Sequence, residues 1–271
     1  MAPKALMVRA IYQQSIAFAR KDLEITFRFK VSALTTIFVP ALINFGLFGT
    51  VFFGFLRFGS QNTSGVNVEN FVAFTMMGAL FTTLFNQGQG AFSTRFANEK
   101  YWQTTPVILA SPLSRWAILL GTAVSELLKF AVVASVFLTA ALIAFPTSMP
   151  AVAFTLVLLV VLYVMVSGVS LIRGALFLID ENLDPVINYF LLGTAYLSCF
   201  YYPASFIPSF LQWIAYINPV YFVVSLARNT WFGSPVNLAY VVASLGVTLL
   251  SISVGILAFN RIWRNYDVTG Y

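Results

Sequence analysis

The run AVAFTLVLLVVLYVMVSGVSLI, residues 151–172, contains no Asp, Glu, Lys or Arg. At about 1.5 Å per residue in a helix it reaches roughly 33 Å, enough to cross a hydrocarbon core about 30 Å thick. Apolar runs of similar length recur on both sides of it, from Val31 to Phe259, joined by short polar loops. They predict spans over about 31–56, 71–94, 116–145, 151–172, 186–202 and 236–260. In lipid a backbone must satisfy its own hydrogen bonds, so runs of this length are read as helices. The expected fold is an all-α integral membrane protein with six transmembrane helices, a single transmembrane domain over 1–271. Composition agrees: of 271 residues 59% are hydrophobic and only 9% charged, against about 25% charged in a soluble domain. The mean hydropathy is +0.86.

Several function classes are excluded or weakened. The sequence has no histidine, so the commonest metal ligand and physiological-pH base is missing. Cys199 is the only cysteine, which rules out an intrachain disulfide and leaves a small packing residue. No loop is long enough for a separate domain, and no G-x-x-x-x-G-K-[ST] phosphate loop occurs. The first apolar run is too long for a signal-peptide core and lacks a small-x-small cleavage site, so it reads as a retained span.

The net charge of +6 is a topology signal rather than a nucleic-acid signal. With a cytoplasmic N-terminus, six basic residues precede the first span. Arg95, Lys100, Arg115, Arg173, Arg261 and Arg264 add to the same side. Only Arg57 and Arg228 fall outside, a ratio of 12 to 2. The positive-inside rule then places both termini in the cytoplasm.

Residues 9–30 predict an amphipathic helix lying on the membrane. Tyr12, Ile16, Ala19, Leu23 and Phe27 form one stripe, with Arg20, Lys21, Glu24 and Arg28 opposite. A solvated helix packed on a partner is the alternative. The second span ends in Asn86-Gln87-Gly88-Gln89-Gly90, too polar to face lipid, so Asn86, Gln87 and Gln89 are expected to face protein or water. The connection Asn98 to Arg115 carries Thr105-Pro106, an N-cap and first helical residue, and Ser111-Pro112, which ends a short helix. Such a stiff element between two spans suits docking of a partner, or is simply a structured loop. Residues 203–219 are apolar but broken by Pro203, Pro208 and Pro219. They predict short re-entrant helices before the last span, or a loop lying flat on the membrane. Glu126 and Lys129 are spaced i, i+3 and share a helix face near the inner headgroup boundary. They are either a structural ion pair or a polar element at the mouth of a substrate path.

At these residues the chain resembles a known family. Glu99, Ser111-Pro112, Arg115 and Leu119-Leu120-Gly121 are similar to the pattern between the second and third spans of ABC-2 permeases, the membrane subunits of type-2 ATP-binding-cassette exporters. Tyr202-Pro203, Ile207-Pro208, Leu211-Gln212 and Asn218-Pro219 resemble that family's pattern before the last span. Where the family often has acidic-x-Gly-Thr, this chain has Lys100-Tyr101-Trp102-Gln103.

The resemblance implies a non-enzymatic half-transporter in the plasma membrane. It would pair with a second copy of itself and with two cytosolic nucleotide-binding ATPase subunits. ATP and Mg would sit on those partners and no cofactor on this chain; nucleic acid is not a partner. Segment 98–112 would be the coupling helix, with Glu99, Tyr101, Trp102, Thr105, Val107, Ile108, Leu109, Ser111 and Arg115 as contacts. The path would lie between the two copies, lined by the first, second and fifth spans. Glu126, Lys129, Asn86, Gln87 and Gln89 would lie along it, and Phe206, Pro208 and Asn218 at its outer gate. Aromatic residues such as Phe38, Phe45, Phe48, Phe52 and Phe53 are ordinary membrane packing, or suit an amphiphilic substrate: a lipid, a glycolipid or lipid-linked glycan, or a hydrophobic drug. A secondary transporter or channel working without an ATPase is the alternative. It would want ionisable residues at mid-membrane, and the spans offer little beyond Glu126 and Lys129.

Overall fold

The computed structural model describes residues 2–58, 66, 70–102 and 114–269. Ten α-helices and one 3-10 turn order the described residues, with no strand among them. They are α1 (Ala2–Phe27), α2 (Lys30–Phe58), α3 (Phe71–Gly90), α4 (Ser93–Tyr101), α5 (Arg115–Ala144), α6 (Met149–Ile179), α7 (Leu183–Tyr196), α8 (Gln212–Ile217), α9 (Pro219–Trp231) and α10 (Leu238–Thr269), with the 3-10 turn at Ala204–Phe206.

Among the described residues four stretches are long and apolar enough to cross a membrane: Ala33–Val51, Arg115–Ala144, Met149–Ile179 and Leu238–Arg261. Their outward faces are apolar. On α10 alone Val242, Leu245, Leu249, Leu250 and Leu257 are exposed. Water would not tolerate so large an apolar surface, whereas acyl chains solvate it. The chain is an all-α integral membrane protein.

Helix α6 is central and packs against α3, α4, α9 and α10. The main core gathers Phe81 and Phe85 of α3, Val133 and Phe137 of α5, Leu162 of α6, and Val223 and Trp231 of α9. Between α6 and α10 the backbones touch. A Cβ on Gly255 would lie 2.5 Å from the Gly168 carbonyl oxygen, and the Ser251 hydroxyl donates to the Met165 carbonyl at 2.6 Å. Lipid supplies no hydrophobic drive between helices, so close small-residue contacts and hydrogen bonds hold such a pair.

Three elements differ from the sequence expectation. The second span does not run to residue 94. α3 stops at Gly90, Ala91 and Phe92 turn, and α4 restarts at Ser93. Ser170 of α6 holds the joint, accepting from the amides of Phe92 (3.0 Å) and Ser93 (3.1 Å) and donating to the Gln89 carbonyl (2.9 Å). Those amides open a new helix and need an outside acceptor, which Ser170 supplies. The expected fifth span, 186–202, is shortened. α7 ends at Tyr196 after 14 residues, roughly 21 Å. A turn follows in which Cys199 takes φ +56°, a left-handed conformation that cannot continue a helix. Finally, α1 packs on α5 by Ser15, Phe18 and Asp22, a face centred about a quarter turn from the apolar stripe and sharing only Ala19 with it. Tyr12 and Ile16 stay exposed, lining an apolar groove with Trp116, Leu120 and Val124.

Candidate functional site

Polar contacts between helices gather at two ends of the bundle. At the first, α1, α4 and the start of α5 meet. Gly121 lets α1 come close: a Cβ there would lie 2.8 Å from the Ser15 carbonyl oxygen and from the Phe18 ring. That approach carries Asp22 onto α5. One carboxylate oxygen accepts from Arg95 Nη1 of α4 at 2.9 Å. The other accepts from the Ser125 hydroxyl at 2.7 Å and lies 3.2 Å from Lys129 Nζ. Lys129 also bonds Glu126 Oε1 at 2.6 Å, the pair expected from sequence. The Arg95 guanidinium stacks 4.2 Å from the Phe18 ring centroid. Burial alone would raise the Asp22 carboxyl, but the Ser125 hydrogen bond and the Lys129 and Arg95 charges outweigh it and hold the carboxyl below its ordinary value.

A second set of pairs ties α4 to α6 and the loop after it. Lys100 Nζ lies 2.9 Å from Glu181, and Tyr101 meets Phe177 edge-on with centroids 5.8 Å apart. Arg173 grips Asp184 with two bonds of 2.6 and 2.8 Å. At the head of α5, Arg115 donates to Asn260 of α10 at 3.4 Å.

Of the expected coupling contacts, Thr105, Val107, Ile108, Leu109 and Ser111 lie outside the described residues, as does the rest of 103–113. The Glu99 backbone belongs to α4, while its side chain is outside the description. Tyr101 and Trp102 project at the end of α4, 64% and 71% exposed. Asn86, Gln87 and Gln89 stand on the last turns of α3. Gln89 donates to Asn86 at 3.1 Å, while the side-chain carbonyl oxygens of Gln87 and Gln89 are buried and make no hydrogen bond.

The other end holds the broken segment. Phe206 packs with Val66, Phe71 and Phe74, and Pro208 is exposed. Asn218 is a staple. Its side-chain oxygen caps α9 at the Val220 amide (3.0 Å), and its amide nitrogen donates to the Thr194 carbonyl (2.9 Å) and Ser198 (3.0 Å) of the α7 end. The structure places the expected path residues at two ends of the bundle, Glu126, Lys129, Asn86, Gln87 and Gln89 at one and Phe206, Pro208 and Asn218 at the other. Sequence reading missed Asp22, Arg95, Ser125, Ser170 and Arg228. Asp22 alone left a signal, as a carboxylate one turn from Phe18 and Ala19 on the apolar side of α1.

Long lipid-facing helices, a helix latched to a span, and an exposed aromatic pair at the end of α4 are features of a multi-pass membrane protein. The family model for ABC-2 type transporters matches residues 13–232, and the chain belongs to that family, as a permease subunit of an ABC transporter. None of the curated proteins compared with the chain matches it.

Proposed function

We propose that this chain is the non-catalytic membrane half of an ATP-driven exporter in the plasma membrane. Two copies form the path for an amphiphilic substrate, a lipid, a glycolipid or lipid-linked glycan, or a hydrophobic drug. Two cytosolic nucleotide-binding subunits hold ATP and Mg and drive it. In this reading α3 and α7 complete six crossings, and the Lys and Arg bias puts both termini in the cytoplasm.

The observation that carries the reading is the Asp22 cluster. Segment 103–113 lies between α4 and α5 in the sequence, and Asp22 ties α4 and α5 to α1 through Arg95, Ser125 and Lys129. A partner pressing on that segment moves all three helices together. Ser170 passes the movement of α4 to α6 and the end of α3. A secondary transporter has no need of such a lever at its surface.

The test is co-purification of the tagged chain in mild detergent, with identification of bound proteins and an ATPase assay. A stoichiometric nucleotide-binding subunit with vanadate-sensitive turnover is expected. Leu109→Glu should release it, because a charged side chain would replace an apolar anchor. A stable oligomer that never binds the ATPase present in the same cells overturns the reading.

A further inference from the structure

The end of the bundle that holds the broken segment contains a cavity of about 360 Å³. It is lined by Asn70 and Phe74 at the start of α3, by Ala204 of the 3-10 turn, and by Tyr221, Ser225 and Arg228 of α9. Arg228 is only 9% exposed. Its Nη1 donates to the Cys199 carbonyl at 2.6 Å, and its Nη2 to the Phe200 carbonyl. Its guanidinium lies 3.6 Å from the Phe74 ring centroid. These contacts fix where the charge sits without neutralising it. The Nε hydrogen finds no partner, and no carboxylate among the described residues pairs with Arg228.

The sequence makes that absence sharper. Between Asp184 and Asp267 there is no acidic residue, so the broken segment, α9 and the membrane part of α10 offer no counter-charge. The other buried cations are treated differently. Lys129 has Asp22 and Glu126, Arg95 has Asp22, and Arg173 has Asp184. A buried charge without a counter-ion is costly, and none of the described residues supplies one; Glu69, next to Asn70 in sequence, lies outside them.

We propose that this cavity is an anion site, in which the Arg228 guanidinium receives a phosphate group. Two backbone carbonyls hold the side chain and leave further N–H donors in the planar fork that matches two oxygens of one oxyanion. Tyr221 and Ser225 line the same space as Phe74, a mix of polar and aromatic residues that suits a phosphate carrying an apolar body. The phosphate comes either from a phospholipid headgroup of the bilayer or from a soluble phosphate compound. The inference stands whether or not an ATPase drives the chain.

The experiment uses the purified full chain in dodecyl maltoside, which contains no phosphate, and follows thermal unfolding by tryptophan fluorescence. One arm titrates sodium pyrophosphate against sodium chloride of equal ionic strength. The other adds dioleoyl phosphatidylglycerol against uncharged dioleoylglycerol. A saturable rise on the order of 5 °C at about 100 times Kd is expected in at least one arm. A rise with phosphatidylglycerol alone identifies a lipid headgroup, and a rise with pyrophosphate alone a soluble phosphate. Ala204→Phe fills the cavity while keeping the Arg228 side chain in the sequence and should abolish the rise; where it does not fold, Ser225→Leu makes the same comparison. Arg228→Lys keeps the charge but loses the fork, and should weaken binding at least tenfold. Flat titrations of the unaltered protein in both arms, or an equal rise in the cavity-filled variant, overturn the proposal and leave Arg228 as a clamp on the Cys199–Phe200 turn.

Discussion

Asp22→Asn keeps the shape of the side chain and removes its charge, so it isolates what holds α1 to α5. The carboxylate faces Arg95 at 2.9 Å and Lys129 at 3.2 Å, with side-chain exposures of 18%, 16% and 11% for Asp22, Arg95 and Lys129. At an effective dielectric of about 20, each attraction is about 5 kcal/mol before desolvation is subtracted. Removing one member of a buried pair costs about 3–5 kcal/mol, because the other charge is left uncompensated. Two contacts soften that here. Lys129 keeps Glu126 at 2.6 Å, and Arg95 keeps the face of Phe18. The expected loss is therefore about 2–3 kcal/mol, a fall of roughly 5–10 °C in unfolding temperature for a chain of this size. The assay is thermal unfolding of the purified chain, repeated with Lys129→Met and with both changes. The cycle should return an interaction of about 1–2 kcal/mol, since the two residues touch. If Asp22→Asn costs under about 0.5 kcal/mol, the value of an exposed surface pair, α1 is held by packing alone and the lever argument fails.

The same carboxyl gives a pH dependence. Its folded pKa lies below its unfolded one, so its stabilisation is complete above the unfolded value near 4 and is lost as pH falls through the folded value. As pH falls below about 4 the unfolding temperatures of the native chain and Asp22→Asn should begin to converge, and above it their difference should stay constant; parallel curves on both sides would contradict the assignment. Gly121→Val would press a side chain against the Ser15 carbonyl and Phe18, with a Cβ contact of 2.8 Å. It should cost about 1–3 kcal/mol by overpacking and expose α1 to limited proteolysis, and unchanged cleavage would count against the close approach. Ser170→Ala strands the buried amides of Phe92 and Ser93, at about 1–3 kcal/mol for each unsatisfied group. Hydrogen exchange should rise at residues 91–93 before the spans respond.

The spans were legible because one property, uninterrupted apolarity over more than twenty residues, decides them locally. It placed α2, α5, α6 and α10, and it failed where a partner across the bundle sets the boundary. Ser170 lies 77 and 78 residues from the amides it accepts, so nothing in the 86–95 window marks where α3 ends. The end of α7 likewise depends on Arg228, whose Nη atoms hold the Cys199 and Phe200 carbonyls from 29 and 28 residues away. The pair Glu126–Lys129 was readable at i, i+3; its connection to Asp22 was not, because Asp22 arrives from a helix more than a hundred residues earlier.

The distribution of polar bonds along α3 explains how such a helix can move as part of a transporter. Thr75, Thr82 and Thr83 donate to Phe71, Gly78 and Ala79, four residues back in their own helix. These hydroxyls satisfy themselves internally, so sliding or turning α3 against α5 and α6 breaks no polar bond along that stretch. The contacts it would change there are apolar, each individually weak. The C-terminal end is different, because Ser170 fixes the α3–α4 joint. Mid-helix, Gly78 admits the Phe200 carbonyl so closely that a Cβ would stand 2.9 Å from its carbon, a close packing contact. A helix packed by apolar contacts along its length and tied at a joint moves where the joint moves. In an ABC-2 permease that joint leads, through Tyr101 and Trp102, to the segment proposed to meet the ATPase.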